Sequence, residues 1–146
     1  MNCFISYEKL KNEDKKDIDF LKKCCNNHEI EKFIKLSDSF FDFVTKTPNV
    51  YYYKIKIENE IVGGLHLQVS ENVLYLSIWV LPSFQRKGIA EHVINDSKSD
   101  CFKLNYNEIR AGIAKNNIKS LSLFKKLEFE EVLIEDGIVD VKYVLK

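Results

Sequence analysis

The sequence predicts an α/β domain in which helices and a mixed, mostly antiparallel β-sheet pack in layers. The first observation is size: the chain has 146 residues, of which 45% are hydrophobic, and this is typical of a single folded domain covering residues 1–146. The second is a change from helical to strand-like spacing of the hydrophobic residues after Pro48. The third is that strands and helices alternate in the second half. We therefore expect about six to seven strands and about four helices.

The N-terminal third predicts a short strand at residues 3–7 and two helices. The first helix is expected at 14–26, and the apolar residues that recur there at helical spacing are Ile18, Leu21 and Cys25. A second helical stretch carries its apolar residues on one side: Ile30, Phe33, Ile34, Phe40, Phe41 and Val44. It ends before Pro48, because proline cannot continue a helix.

The remainder predicts a strand-rich region with two further helices. Strands are expected at 51–57, 60–69, 73–80, 107–114, 129–134 and 138–145, and helices from Gly88 to about Leu104 and at 117–127. The first three strands read as an antiparallel meander, because Glu58-Asn59 is typical of a hairpin turn. Gly63-Gly64 within the second of them indicates a bulge or a close approach of another backbone.

Charge and composition argue against several classes of protein. Lys plus Arg equals Asp plus Glu, at 22 each, so there is no general electrostatic reason to expect nucleic acid or an anionic membrane as a partner. No apolar run approaches the ~20 residues of a membrane span, and the polar N-terminus does not resemble a secretory signal. The cysteines lack the spacing of a disulfide framework: Cys3, Cys24, Cys25 and Cys101. Reduced thiols and a cytoplasmic location are therefore expected.

The segment from Ile78 to Ala90 carries the clearest functional signal. A strand ends, a short loop turns, and a helix begins at Gly88, where unpaired N–H groups and the helix dipole favour a phosphate. Gly88 lets the backbone approach an anion closely. Arg86 and Lys87 add positive charge. The alternative is an ordinary strand–loop–helix connection with a solvated basic turn.

Two motifs in this half resemble those of the GNAT family of N-acetyltransferases. Gln85-Arg86-Lys87-Gly88-Ile89-Ala90 resembles the family's Gln/Arg-x-x-Gly-x-Gly/Ala motif, and Val80-x-Pro82-x-Phe84 before it resembles the family's strand-end pattern. The segment 117–129 resembles the second motif, Asn-x-x-Ala/Ser-x-x-Leu-Tyr-x-x-Leu-Gly-Phe. The motifs occur in the family's order and spacing, and the resemblance extends from about Tyr51 to the C-terminus.

The resemblance implies an N-acetyltransferase that uses acetyl-CoA and no metal. The acetyl group would pass to a primary amine of a small molecule or peptide by direct attack in a ternary complex. Strands 73–80 and 107–114 would be parallel and splay apart around the pantetheine arm, which would pair with backbone groups of Ile78 and Val80. Amides from residues 86–90 would hold the pyrophosphate. The complete implied cofactor-binding set is Ile78, Trp79, Val80, Gln85, Arg86, Lys87, Gly88, Ile89, Ala90 and Asn117. Asn117 is equally suited to cap a helix.

The resemblance leaves the catalytic residues unassigned. Phe124 stands where many relatives have a tyrosine that acts as general acid. Positions that carry a base in some relatives are apolar or lack a side chain here: Leu74, Leu76 and Gly112. A catalytically weak or silent acyl-CoA-binding module is therefore the alternative, and an unrelated phosphate-binding α/β domain is a third reading.

Other residues have a structural and a functional interpretation. His66 lies on a predicted strand and could act as a base, although a hydrogen-bonded strand histidine is the simpler expectation. Tyr75 and Ser77 should face opposite to Leu74 and Leu76, with packing in the core or against a helix as the default. Trp79 is expected to anchor the core.

Three further questions concern metal, acceptor and assembly. Cys24 and His28 are one helical turn apart, but structural zinc needs four converging ligands, so we expect no metal site.

The aromatic runs Phe40-Phe41 and Tyr51-Tyr52-Tyr53 could line an acceptor pocket, although core packing is the default. Homodimers formed through a sheet edge or the C-terminal strands are common among relatives.

Overall fold

The computed structural model describes residues 4–27, 30, 37 and 39–145. The helices are α1 (Lys15–Cys25), α2 (Phe40–Lys46), α3 (Ile89–Ser97) and α4 (Ile118–Lys126). The strands are β1 (Ile5–Lys9), β2 (Val50–Ile57), β3 (Glu60–Ser70), β4 (Val73–Val80), β5 (Glu108–Ala114), β6 (Glu130–Glu135) and β7 (Ile138–Val144). A short 3₁₀ turn, Pro82–Phe84, precedes α3.

Among the described residues, seven strands form one mixed sheet in the order β1-β2-β3-β4-β5-β7-β6. β4 and β5 are parallel, whereas β1–β2, β5–β7 and β6–β7 are antiparallel. The predicted fold class is thereby confirmed, including the parallel pair and the order of strands and helices. By their internal contacts the residues group into two compact units, the first drawn from Met1–Leu67 and Ile78–Ala90, the second from Gln68–Ser77 and Glu91–Lys146.

The core of the first unit packs α1 and α2 against β2. Leu21, Val44 and Tyr52 are 0–2% exposed there, and they belong to one cluster of buried residues with Trp79. The acidic Asp17 near the start of α1 and basic residues near its end suit the helix dipole. Burial of this apolar stripe is what holds a helix as short as α1 in place.

A buried ion network joins three elements of the first unit. The Lys54 side chain on β2 is 1% exposed, and its Nζ donates to Glu8 on β1 and to Asp17 on α1, the latter at 2.6 Å. Lys56 also pairs with Glu8, at 2.9 Å. A buried ammonium is tolerated only when it is paired in this way.

The second unit is built on β5, β7 and α4. Ile109, Ala111 and Ile113 are buried on one side of β5, as strand alternation requires. The buried Phe124 of α4 packs edge-to-face on Phe129, with ring centroids 4.9 Å apart.

The predicted helix after Gly88 is wrong at its C-terminal end, since α3 stops at Ser97 rather than near Leu104. The amides of Lys98 and Ser99 bond back three residues, to the carbonyls of Asn95 and Asp96. This tightens the last turn and ends the α-helical ladder. Lys103 then adopts φ +56°, which a continuing helix does not allow.

β6 is an edge strand whose residues are all exposed. Val132, Leu133 and Ile134 are 44–58% exposed in succession, and acidic residues flank them on both sides. In the described part of the chain, no helix is long and apolar enough to cross a membrane.

Candidate functional site

Side chains along β4 alternate between the core and solvent. Leu74 and Leu76 are buried, whereas Tyr75 is 45% exposed and Ser77 is exposed as well. The prediction that the two pairs face opposite ways is confirmed. The expectation that Tyr75 and Ser77 pack in the core or against a helix is wrong, because that face of the strand is open in the second unit.

The parallel ladder between β4 and β5 is short. It joins Val73, Leu74 and Tyr75 to residues 108–110, yet β5 continues to Ala114 and remains paired with β7 along its whole length. Backbone groups on the other edge of β5 beyond Arg110 are therefore available to a chain-like ligand that pairs as a strand does. The resemblance predicts that the pantetheine arm pairs at such an edge, and this contact stays a prediction.

The loop before α3 fits an anion. Arg86 has φ +63° and Gly88 has φ +79°, and Arg86, Lys87 and Gly88 are all exposed. A β-carbon built on Gly88 meets nothing within 4 Å, so open space lies beside the first amides of the helix. Amides without an intrahelical partner, positive charge and open space together suit a diphosphate.

Gln85 ties this loop to the end of β4. Its Nε2 donates to the carbonyl of Val80 at 2.9 Å. The amide of Leu81, which follows Val80, donates to the carbonyl of Val62 at 2.8 Å. The observed contact of Gln85 is thus with the protein, and it positions the loop. Its predicted contact with acetyl-CoA stays a prediction.

Three residues of the predicted set, Trp79, Val80 and Ile89, have buried side chains, so only their backbone groups remain for the predicted contact with the cofactor. The side chains of Trp79 and Ile89 are 7% and 2% exposed, and Trp79 donates its Nε1 hydrogen to the hydroxyl of Tyr52 at 2.7 Å. The prediction that Trp79 anchors the core is confirmed. Ile78 is half-buried and Val80 is buried.

Asn117 belongs to the second unit and caps α4. Its Oδ1 accepts a hydrogen bond from the amide of Ser120 at 3.3 Å, which satisfies one of the free N–H groups at the helix start. The capping role is confirmed, and contact with a cofactor stays a prediction. The other nine predicted residues all lie in the first unit.

His66 differs from its expectation. Its Nε2 is buried and makes no hydrogen bond within the described part of the chain, while its ring packs edge-to-face on Phe40 at 5.5 Å. Burial lowers the pKa of this imidazole, so it is neutral at physiological pH. The expectation that His66 is hydrogen-bonded is therefore wrong for its Nε2. The first unit instead holds a neutral imidazole beside the half-buried ring of Phe40.

Phe124 and two buried titratable side chains are unsuited to acid–base work. Phe124 is 4% exposed and has no proton to donate. Burial raises the pKa of Tyr52 well above its usual range and raises the pKa of Cys25 to about 12. Of the paired aromatic residues, Phe41 and Tyr52 are core, whereas Phe40 is only partly buried.

No metal centre is formed by the described residues: within 4–27, 30, 37 and 39–145, no three His, Cys, Asp or Glu side chains converge. Cys24 is a buried free thiol, and His28 lies outside the described residues. Burial also raises the pKa of Cys24, which keeps it protonated and a poor metal ligand.

Comparisons with solved structures agree with this architecture. A domain from Methanocaldococcus jannaschii has a TM-score of 0.83 at 18% identity, covering 99% of this chain and 100% of that one. The spermidine N-acetyltransferase of Vibrio cholerae, in complex with CoA and spermine, has a TM-score of 0.80 at 18% identity, covering 96% and 95%. The ribosomal-protein-S18-alanine N-acetyltransferase of Escherichia coli has a TM-score of 0.78 at 14% identity, covering 98% and 95%. At these identities the likeness establishes the fold.

Sequence comparison establishes the family. No curated protein sequence matches this chain significantly. A profile of the acetyltransferase (GNAT) family, however, matches residues 16–129, which is well over half of the chain and includes the loop before α3 and all of α4. The protein therefore belongs to the acetyltransferase (GNAT) family, whose members use acetyl-CoA.

Proposed function

We propose that residues 1–146 form a single cytoplasmic N-acetyltransferase domain that acetylates a primary amine of a small molecule or peptide by direct attack in a ternary complex. The observation that carries this proposal is the open, basic loop at residues 85–88, which is followed by the free amides of α3. The short parallel ladder of β4 and β5 supports it independently.

Binding of acetyl-CoA is assigned to backbone more than to side chains. Amides of residues 86–90 hold the pyrophosphate, with Arg86 and Lys87 adding charge. Backbone groups of Ile78 and Val80 pair with the pantetheine arm, and Asn117 contacts the cofactor from the start of α4. Acetyl-CoA supplies the thioester carbonyl that the amine attacks. The N–H of Val80 serves as the donor that stabilises the oxyanion.

The acceptor must be neutral when it attacks. A lysine-like amine of pKa about 10.4 needs roughly 4.6 kcal/mol to lose its proton at pH 7, whereas an α-amino group of pKa about 7.7–8.0 needs only about 1 kcal/mol. With no base assigned, water accepts this proton, and the less basic amine is favoured. The thiolate of CoA leaves without help from Phe124, which is tolerable for a thiol of pKa about 8.5.

Two relatives indicate which acceptors to test first. One acts on spermidine, a small-molecule amine, and the other on the alanine of a ribosomal protein, a peptide amine. Spermidine and an alanine-starting tripeptide therefore represent the two acceptor classes.

A silent acyl-CoA-binding module is the second candidate, and the buried Phe124 favours it. Calorimetric titration with acetyl-CoA, with 3′-dephospho-CoA and ATP as controls, tests the cofactor site. Micromolar binding of acetyl-CoA with turnover of either acceptor supports the enzyme. Binding without turnover of any amine in a library supports the module, and no binding of any acyl-CoA rejects both. A homodimer stays a prediction that sedimentation of the same sample tests.

A further inference from the structure

Gly112 and Asp140 face each other across β5 and β7 in the second unit. They are register partners in the antiparallel pair, so both point to the same face of the sheet. A β-carbon built on Gly112 lies 3.4 Å from Oδ1 of Asp140 and 3.2 Å from Cγ2 of Ile138. The carboxylate of Asp140 therefore lies within van der Waals contact of a side chain placed at position 112.

The Asp140 carboxylate has no direct partner among the described residues. Asp140 is half-buried, and among the described residues it makes no hydrogen bond and no ion pair within 4 Å. Arg110, the neighbouring cation on β5, is held by Glu108 instead. Asp140 acts on Arg110 only at longer range, as one minor reason why the pKa of Arg110 is raised. The oxygens of Asp140 therefore keep free capacity to accept hydrogen bonds from a ligand.

The carboxylate lies next to the point where the β4–β5 ladder ends. The last paired row is Tyr75 with Arg110, and Gly112 follows two residues later on the same face of β5. Around this point the face is open, because Tyr75 is 45% exposed and Ser77 and Gly112 are exposed too. An amine on this face would meet the glycine backbone, the Asp140 carboxylate and the side chain of Ile138.

The charged residues around Asp140 on β5, β6 and β7 determine which ligand charge it favours. Glu108 is neutralised by Arg110. Lys142, two residues along β7, has Arg110 of β5 and Glu130 of β6 as its register partners. Neither Lys142 nor Arg110 forms an ion pair with Asp140 within 4 Å, so a cationic ligand placed there meets a carboxylate without a direct partner among the described residues.

We propose that Asp140 binds the positively charged amine of the acceptor and so selects cationic acceptors, an assignment that rests on the proposed function. Its oxygens accept N–H hydrogen bonds from the ammonium group, which are charge-assisted and oriented. Asp140 forms no covalent bond, and the proton leaves the bound amine to water before attack. The effect of Asp140 is therefore on acceptor binding.

The test compares Asp140→Asn with Asp136→Asn. Both variants remove one negative charge from the same hairpin, but Asp136 lies in the exposed turn that joins β6 to β7. Spermidine and an alanine-starting tripeptide are titrated into each protein saturated with CoA, and acetyl-CoA is titrated separately. Asp140→Asn should raise the Kd and the KM of the cationic acceptor at least about tenfold, as for loss of a charge-assisted contact. The acetyl-CoA affinity, the Tm and the turnover of neutral aniline should remain unchanged.

A double variant that moves the carboxylate from position 140 to position 112 tests whether acceptor binding can be restored. In Asp140→Ala combined with Gly112→Asp, the charge returns from β5 to the same face, and affinity for the cationic acceptor should recover relative to Asp140→Ala alone. Equal behaviour of Asp140→Asn and Asp136→Asn overturns the assignment, as does failure of both cationic probes to bind the wild type. If acetyl-CoA binds in those samples, only Asp140 is rejected. If acetyl-CoA does not bind, the proposed function fails as well.

Discussion

The indole N–H of Trp79 and the hydroxyl of Tyr52 meet at 2.7 Å directly over Gly64. A β-carbon built on Gly64 would lie 2.2 Å from the Tyr52 oxygen and 2.5 Å from Nε1 of Trp79. The neighbouring Gly63 is equally constrained, at 2.3 Å from the carbonyl oxygen of Trp79. The Gly63-Gly64 pair therefore marks a close approach, as predicted, between β3 and the end of β4.

Gly64→Ala should lower the free energy of unfolding by about 1–3 kcal/mol, because the added methyl group forces the buried hydrogen-bonded pair apart. Urea unfolding measures this loss. Adding Tyr52→Phe should recover part of it, since the closest atom is then removed, and the double-mutant cycle should show coupling. Gly63→Ala should show no such recovery, because its obstacle is backbone. Equal responses of the two alanine variants to Tyr52→Phe would contradict this account.

Gly88 and Gly137 form a matched pair for testing the phosphate loop. Both have positive φ, +79° and +77°, and a β-carbon on either meets nothing within 4 Å. Alanine at each position should therefore cost a similar amount of stability, about 1 kcal/mol. Only Gly88→Ala should also weaken acetyl-CoA binding, because its methyl group enters the space next to the helix amides. Calorimetry of both variants checks this, and equal acetyl-CoA affinities would remove Gly88 from the binding site.

The half-buried imidazole of His66, whose Nε2 is fully buried, should make stability depend on pH. Because burial lowers its pKa below the usual 6.5, the unfolded chain binds more protons, and stability present above pH 6.5 is lost as the pH falls through that value. His66→Phe should remove this dependence and keep the contact with Phe40. It should also gain about 1 kcal/mol by removing an unsatisfied nitrogen. Chemical unfolding at a series of pH values measures both effects, and a slope in His66→Phe equal to that of the wild type would show that other groups cause the pH dependence.

Glu8 should dominate a second, more acidic transition. Its hydrogen bonds with Lys54 and Lys56 lower its pKa from 4.5 to about 2. The stability that Glu8 contributes is therefore complete above pH 4.5 and is lost as the pH falls from 4.5 towards 2.

Glu8→Gln should flatten the unfolding free energy over this acidic window and cost about 1 kcal/mol at neutral pH, a modest value because Glu8 is half-exposed. Lys56→Met removes one of the two cations and should give an intermediate slope. A slope in Glu8→Gln equal to that of the wild type would show that other carboxylates cause the acid transition.

Local patterns were sufficient for much of the fold. The alternation in residues 73–80 predicted the bounds of β4, and Asn117 was correctly expected to be a suitable cap for α4. The end of α3 was missed because residues 98–104 continue an apolar spacing that backbone bonds at Lys98 and Ser99 interrupt. The environment of His66 was also missed, since it depends on Phe40 from a distant helix.

The site shows the same division between local and long-range information. Gly88 and its basic neighbours form a continuous segment, so the sequence alone predicted a phosphate loop there. Asp140 lies 28 positions after Gly112 in the sequence, and only the pairing of β5 with β7 brings its carboxylate over the glycine. The signal that could have indicated it is the glycine itself, because an exposed glycine inside a strand often marks close approach by another group.

The exposed β6 edge affects how the protein should be handled. Val132, Leu133 and Ile134 offer unpaired backbone and apolar side chains together, which favours edge-to-edge association of molecules. The acidic residues at both ends of the strand oppose this by mutual repulsion, since Glu130 and Glu131 of one copy would meet acidic ends of another. With a net charge of zero and a pI near 6.8, there is little overall repulsion between molecules at neutral pH. Colloidal stability should therefore improve in mildly alkaline, low-salt buffer, where the acidic ends of β6 are least screened.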